Sequence, residues 1–322
     1  MERIDLIQTA VLLRKAGDIL IVTHIRPDGD AAGSGCALCL GLRSLGKQAY
    51  LAKNPPSMAR YEKYMLPYFA PEGFRPAFVV AVDTPTPGQY PPGLGDLASI
   101  TDLAIDHHGT NSGYAKATFL EPDSAATGEL VFLLLEALGV DMDPDTAEAL
   151  YTALTTDTNC FRTPSTSSRT LAIGARLRSA GFDAAGLTRR LFETKSTSRL
   201  RLEAAMFGGM RFPVDGVCVM TLPLKTVEAC GAGEDDMDKL SLLTFVPAGT
   251  WAGLLIRQLP DGTWKVSLRT DGTIHAGDIL RTLGGTGGGH ADAAGSVLDG
   301  PPEDIEKAVL AALMDFKGSA RP

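Results

Sequence analysis

Three short apolar runs, DILIVTH (18–24), AFVVAVD (77–83) and SITDLAID (99–106), constrain the fold more than any other feature of this sequence. Each is rich in β-branched residues and shows little polar alternation. A strand that is apolar on both sides is buried on both sides, as in a parallel sheet whose faces are covered. Between the first two runs, AAGSGCALCLGLRSLG (31–46) repeats apolar residues at helical spacing and ends at Gly46, a natural helix C-cap, before a short strand, QAYLA. The chain therefore opens as a βαβ unit.

Beyond the third run the periodicity turns helical. DSAATGELVFLLLEALG (123–139) begins with an acid and small hydroxyl residues, and DPDTAEALYTALTTDT (143–158) carries Pro144 in its first turn. A helix-rich stretch continues to about Gly209, after which strand signals return in VCVMTL, WAGLLIRQ and TWKVSLRT, with a DG turn at 261–262. At 322 residues the chain exceeds the size at which one core keeps growing, so two domains are expected. The reading is α/β: an N-terminal domain (1–193) with a mainly parallel sheet flanked by helices, a helical connector (194–207) and a smaller C-terminal α/β domain (208–322), with the active site in the cleft between domains.

Each strong strand ends in a potential metal ligand: His24 after ILIVT, Asp83 after VVAV, and Asp106-His107-His108 after LAI. The carboxyl ends of strands form the ligand crevice of an open parallel sheet, so one topology brings all of these together. The first strand continues into RPDGD, adding Asp28 and Asp30, and Asp157 closes the helix ALYTALTTD. Alternate carboxylates in such a loop can face two ions, and Asp83 at the sheet centre has two oxygens with which to bridge them. Oxygen and imidazole donors suit manganese, magnesium or iron(II) better than a thiolate zinc site, and manganese is the expectation. Two such ions acidify a bridging water and clamp a phosphoryl group, which points to phosphoester hydrolysis.

Charge bounds the substrate. The formal net charge is −8 and the pI about 5.2, so no general positive field gathers a long polyanion, and no long duplex nucleic acid is expected as a partner. The five cysteines are odd in number and scattered, as reduced thiols would be, with Cys36 and Cys39 read as buried small residues. The N-terminus lacks the basic and apolar regions of a signal peptide, and LVFLLLEAL (130–138) is broken by Glu136. The expectation is a cytoplasmic protein without a membrane partner.

HIRPDGD, AVD, DHH and TTDTNCF occur in the order and at the rough spacing of the four motifs of the DHH phosphoesterase superfamily, over about residues 15–165. GGTGGGHADAAG (284–295) resembles the signature of the DHH-associated domain. The resemblance, strongest to oligoribonuclease and pAp phosphatase members, implies hydrolysis of short RNA and of 3′-phosphoadenosine 5′-phosphate (pAp). It implies one ion on His24, Asp28 and Asp83 and another on Asp30, Asp83, His107 and Asp157. His108 would contact the scissile phosphate or assist proton transfer, and Asp106 would sit behind the histidines as their hydrogen-bond partner. Arg269, Gly288, Gly289 and His290 would hold the other end of the substrate. Where relatives usually carry glycine after TDT, this chain has Asn159, a residue that tolerates left-handed backbone. A homodimer is compatible with the resemblance, although no interface is readable.

Competing readings have weaker marks. GGTGGGH lacks the preceding strand and following acid of a dinucleotide loop. His275, after TDGT, reads as ordinary surface, and Arg162 with TPSTSSRT (163–170) as cleft lining or helix capping. A single-strand DNA exonuclease would need an extended backbone track that the acidic balance does not offer, in keeping with substrates of about two to five nucleotides. A pyrophosphatase would need a more cationic C-terminal pocket. A catalytically inert nucleotide sensor would have lost ligands, and none is missing. A phosphodiesterase for cyclic or linear dinucleotides remains the main alternative.

Overall fold

The computed structural model describes residues 2–54, 59–284 and 292–319. The chain divides into two compact units, Met1–Thr194 and Lys195–Pro322. The first contains, in order, β1 (Glu2–Arg3), α1 (Leu6–Lys15), β2 (Ile19–Thr23), α2 (Gly29–Ser44), β3 (Ala49–Leu51), α3 (Glu62–Met65), β4 (Phe78–Val82), β5 (Leu103–Asp106), β6 (Ala117–Leu120), α4 (Thr127–Leu138), α5 (Pro144–Asp157), α6 (Ser168–Arg178) and α7 (Ala184–Thr188).

Its sheet has the order β1-β6-β5-β4-β2-β3, and every neighbouring pair is parallel. The absence of polar alternation in the strands now has its cause. Ile19 and Ile21 of β2 pack with Leu38 and Leu42 of α2, Leu134 and Leu135 of α4 and Leu150 of α5. Leu20 and Val22 point the other way, into a second cluster with Val79, Ala81, Ala104 and Tyr90. Helices cover mainly the first face; the second is covered by irregular connections that include a 3₁₀ turn at Gly95–Ile100.

The run at 99–106 is only half strand, starting at Leu103. Thr101 Oγ1 donates to Leu97 O at 2.8 Å, closing the preceding turn, and Asp102 Oδ2 accepts from Val79 N at 2.9 Å. Side chains that satisfy backbone groups locally compete with the ladder, so pairing begins only past them. The helices start and stop where their sequences say: Asp143 caps α5 by accepting from Thr146 N at 2.9 Å, and Gly139 ends α4 in left-handed backbone at φ 79°.

The second unit contains α8 (Thr197–Gly208), β7 (Arg211–Val214), β8 (Val217–Leu222), α9 (Leu224–Cys230), β9 (Ala252–Gln258), β10 (Trp264–Thr270), α10 (Ala276–Thr282), β11 (Ala293–Leu298) and α11 (Pro302–Ser319). Its sheet runs β11-β10-β9-β8-β7, antiparallel except for the β8–β9 pair. Val219, Ile256 and Leu268 pack with Ile279 of α10 and Val309 and Leu313 of α11. Met220 and Leu255 join Leu202 and Met206 of α8 on the other face, so the helix at 197–208 belongs to this unit's core. Among the described residues no helix is long and apolar enough to cross a membrane.

Candidate metal centre

Strands β5, β4 and β2 are neighbours in that order. Their C-terminal ends therefore release Asp106-His107-His108, Asp83 and His24 along one edge, with Asp83 in the middle. Asp28 is the N-cap of α2, its Oδ1 accepting from Asp30 N at 3.0 Å and Ala31 N at 3.1 Å. Asp30, in the first turn, has no exposed surface. Its carboxylate accepts from Ser34 Oγ at 2.8 Å and from the first amides of α4, Thr127 N at 2.7 Å and Gly128 N at 2.9 Å. Asp30 thus sits in the first turn of α2 while its carboxylate caps α4.

Asp157 reaches the same place because α5 lies close against α2. A Cβ on Gly33 would sit 2.3 Å from Ala149 O, and one on Gly29 2.4 Å from the Thr156 side chain. Only glycine lets the helices approach so closely that the last residue of α5 meets the first turn of α2.

The result is two groups of convergent donor atoms, His24–Asp28–Asp83 and Asp30–His107–Asp157, together with Asp83–His107–His108. His24 Nε2 lies 3.8 Å from both Asp28 Oδ1 and Asp83 Oδ2, and His107 Nε2 lies 3.4 Å from Asp157 Oδ2 and 3.8 Å from Asp30 Oδ2 and Asp83 Oδ1. These spacings are long for hydrogen bonds but suit donors sharing one ion at about 2.0–2.2 Å each. Asp83 turns one oxygen toward each histidine.

The histidine tautomers follow from their partners. His24 Nδ1 lies 2.9 Å from Ile25 O and His107 Nδ1 3.1 Å from Ser124 O. A carbonyl can only accept, so each Nδ1 carries a proton and each Nε2 is left pointing inward, where a bound metal would take its lone pair. His107 Nε2 is buried without a hydrogen-bond partner. With carboxylates around it, that nitrogen calls for positive charge in the space, a cation or, in the metal-free protein, a proton of its own.

Electrostatics agree. Burial, reinforced by Asp28 and Asp157, pushes the Asp83 carboxyl up to about 7. Asp30 is raised well above the usual carboxylate range by burial and by Asp83 and Asp157. Burial would lower His24, but Asp28 and Asp83 override it and raise the imidazole to about 9. His107 rises against burial to about 10 through Asp157, Asp30 and Asp83. These four groups all lean toward gaining positive charge, which is the condition of a site built for cations. Hard oxygen and imidazole donors make it a divalent-metal site.

His108 is held differently. Its Nδ1 donates to Asp106 Oδ1 at 2.8 Å, and its backbone N–H to the same oxygen at 3.0 Å. Asn111 Nδ2 donates to Asp106 Oδ2 at 2.6 Å. Burial tends to raise the Asp106 carboxyl, yet the His108 and Asn111 hydrogen bonds keep it below its ordinary value. Asp106 therefore supports His108 alone, where sequence reasoning placed it behind both histidines; the backbone turn after β5 sends His107 to the Ser124 carbonyl instead.

Asp83 adopts φ 53°, an uncommon conformation for a non-glycine residue, of the kind that collects at functional sites. Asn159, Cys160 and Phe161 are also left-handed, at φ 46°, 60° and 62°. Asn159 keeps the turn that glycine would make and accepts from Arg162, Nε to its carbonyl at 2.7 Å and Nη2 to its side chain at 3.2 Å. Ser167 in the hydroxyl run is the N-cap of α6. In the second unit, half-buried Arg269 donates Nε–H to Ser241 Oγ at 3.0 Å, His275 is exposed, and Gly288, Gly289 and His290 lie outside the described residues. Cys36 and Cys39 are buried and free. Sequence reasoning missed Ser124, Thr127, Gly128 and Asn111; the small hydroxyl residues opening the 123–139 helix were the available signal.

Residues 18–154 match the DHH family, N-terminal domain, and residues 247–317 the DHHA1 domain. The parallel sheet and its acid–histidine edge thus define a DHH phosphoesterase, and the chain belongs to that family. Within it, the chain is 35% identical to the bifunctional oligoribonuclease and PAP phosphatase NrnA of Thermus thermophilus, over 90% of this chain and 87% of that protein. It is 26% identical to the NrnA of Bacillus subtilis, over 87% of this chain and 89% of the relative. In fold it resembles an exopolyphosphatase-related protein from Bacteroides fragilis, with a TM-score of 0.88, 24% identity and 98% of each chain covered. It also resembles RecJ from Thermus thermophilus in complex with Mn²⁺, with a TM-score of 0.61 and 18% identity, over 98% of this chain and 55% of that one.

Proposed function

We propose that this protein is a two-metal phosphoesterase that hydrolyses short oligoribonucleotides and pAp with Mn²⁺. The observation that carries the reading is Asp83, one oxygen 3.8 Å from His24 Nε2 and the other 3.8 Å from His107 Nε2. The 35% identity to an oligoribonuclease and PAP phosphatase along most of both chains supports the substrate class. In this reading His24, Asp28 and Asp83 hold one ion, and Asp30, Asp83, His107 and Asp157 the other. Bound divalent ions supply a hydroxide at neutral pH and neutralise charge on the phosphoryl oxygens.

The chain's own residues do the rest. The Ile25 and Ser124 carbonyls keep the His24 and His107 tautomers that present Nε2. The hydrogen bond to Asp106 fixes the His108 ring and leaves Nε2 for the scissile phosphate, which it contacts or relieves of charge by moving a proton. Arg269 grips a further substrate phosphate, with Gly288, Gly289 and His290 supplying close backbone and imidazole contacts. The same proposal includes a catalytic domain over 1–193, a substrate-binding domain over 208–322 against which the helix of the 194–207 segment packs, a cytoplasmic location and a homodimer.

The test is hydrolysis of pAp and of a labelled RNA dinucleotide by the full chain with Mn²⁺, beside an Asp83→Ala control. Release of phosphate or mononucleotides by the wild type and not by the variant supports the reading. Failure on both substrates by metal-loaded protein overturns it and turns attention to cyclic dinucleotides.

A further inference from the structure

We propose that Arg169 is a positioning residue for the Asp30–His107–Asp157 metal group, an inference that rests on the two-metal reading above. Arg169 lies on α6, 12 residues beyond Asp157 and 62 beyond His107. Its guanidinium nonetheless joins the two supports on which that group depends. Nη2 donates to Ser124 Oγ at 2.7 Å, and the Ser124 carbonyl is the acceptor that fixes His107 Nδ1. Nε donates to Glu129 Oε2 at 3.0 Å, and Nη1 to Glu121 Oε2 at 3.1 Å.

Glu129 is completely buried and takes a second hydrogen bond, from Thr170 Oγ1 at 2.5 Å. It stands in the first turn of α4, directly after the Thr127 and Gly128 amides that hold Asp30. Thr127 Oγ1 also donates to Asp83 Oδ1 at 2.8 Å, the oxygen on the His107 side. One planar cation therefore ties the start of α4 to the 121–124 loop, and through them sets Asp30 and His107 relative to each other.

A buried carboxylate with no role would be a costly feature, since its charge needs a paired and hydrogen-bonded partner. Here Glu129 is the anchor that draws Arg169 in, and the remaining guanidinium nitrogens reach Glu121 and Ser124. Arginine is required because its donors point in fixed, divergent directions; a lysine ammonium is a single point charge on a flexible stem. Within the His24–Asp28–Asp83 group these hydrogen bonds reach only the shared Asp83, and there only its His107-side oxygen, so the effect should fall mainly on one ion.

The experiment titrates Mn²⁺ into metal-free full-length protein by calorimetry and by electron paramagnetic resonance, which separates a coupled ion pair from a single ion. Two variants are compared with wild type: Arg169→Lys, which keeps Glu129 paired, and the double variant Glu129→Gln/Arg169→Met, which leaves no buried charge behind. Circular dichroism confirms that each is folded. The expected result is that wild type binds two ions, while both variants keep one and bind the other about 10- to 100-fold more weakly, losing the coupled signal. Wild-type affinity for both ions in either variant, or equal weakening of both ions, overturns the assignment. A wild type that binds no pair of ions overturns the two-metal reading itself, which separates the two failures.

Discussion

Replacing Gly33 by alanine tests the claim that the contact between α2 and α5 sets the spacing of the ligands. The added methyl would lie 2.3 Å from Ala149 O and 2.9 Å from Ala153 N, where ordinary contact begins at 3.4 Å. Both obstacles are backbone, so no side chain can swing aside and the helices must part by about 1 Å. Overpacking of this kind costs about 1–3 kcal/mol, and alanine returns about 1 kcal/mol of helix propensity, so the net loss of stability is at most about 2 kcal/mol. Metal binding is far less tolerant, because ligand distances hold to about ±0.2 Å. Parting the helices moves Asp157, at the end of α5, away from Asp30 in the first turn of α2. Calorimetric titration should show loss of at least one Mn²⁺ site in a variant whose thermal unfolding is only modestly shifted. Two sites of wild-type affinity in Gly33→Ala would refute the reasoning.

Three further outcomes are expected. Thr127→Val removes the donor to buried Asp83 while keeping the shape, and should cost about 1.5–3 kcal/mol in denaturant unfolding of the metal-free protein; an unchanged midpoint would show that the hydrogen bond contributes nothing. Asp106→Asn takes the carboxylate from His108 and should lower kcat on the order of 10²-fold with KM little changed, as read from steady-state kinetics; a KM effect alone would place His108 in binding only. In chelator, stability should fall as pH rises. The folded pKa of Asp83 is raised to about 7 and those of His24 and His107 to about 9 and 10, so each contribution is present below the unfolded value and is lost as pH climbs through the folded one. The decline should begin above about pH 4 for Asp83 and above about pH 6.5 for the histidines, and saturating Mn²⁺ should oppose it; a flat melting profile from pH 5 to 9 in chelator would contradict it.

The convergent acids and histidines were legible because each obeys a local rule. A strand buried on both faces has a nearly unbroken apolar run, and the polar residues that follow it, His24, Asp83 and Asp106-His107-His108, must lie at the strand's end, where parallel topology gathers such residues. Asp28 and Asp30 are marked by their place at a helix start, and Asp157 by its place at a helix end. The supports were not legible. Ser124 meets His107, Thr127 meets Asp30 and Asp83, and Arg169 meets Glu129 through pairings of residues 17 to 97 positions apart, and no periodicity encodes them. Strand β6, only four residues long, carried too little pattern to be found.

By itself the sequence marked most strand and helix segments, the α/β class and a set of candidate ligands at strand and helix ends, because hydrophobic periodicity and end signals act over a few residues. Tertiary structure alone decided which imidazole nitrogens face the carboxylates, that Asp106 serves His108 and not His107, and that Arg169 bonds to Glu129 and Ser124. Those outcomes depend on which donors and acceptors come within hydrogen-bond reach once α2, α4, α5 and α6 have packed on the sheet.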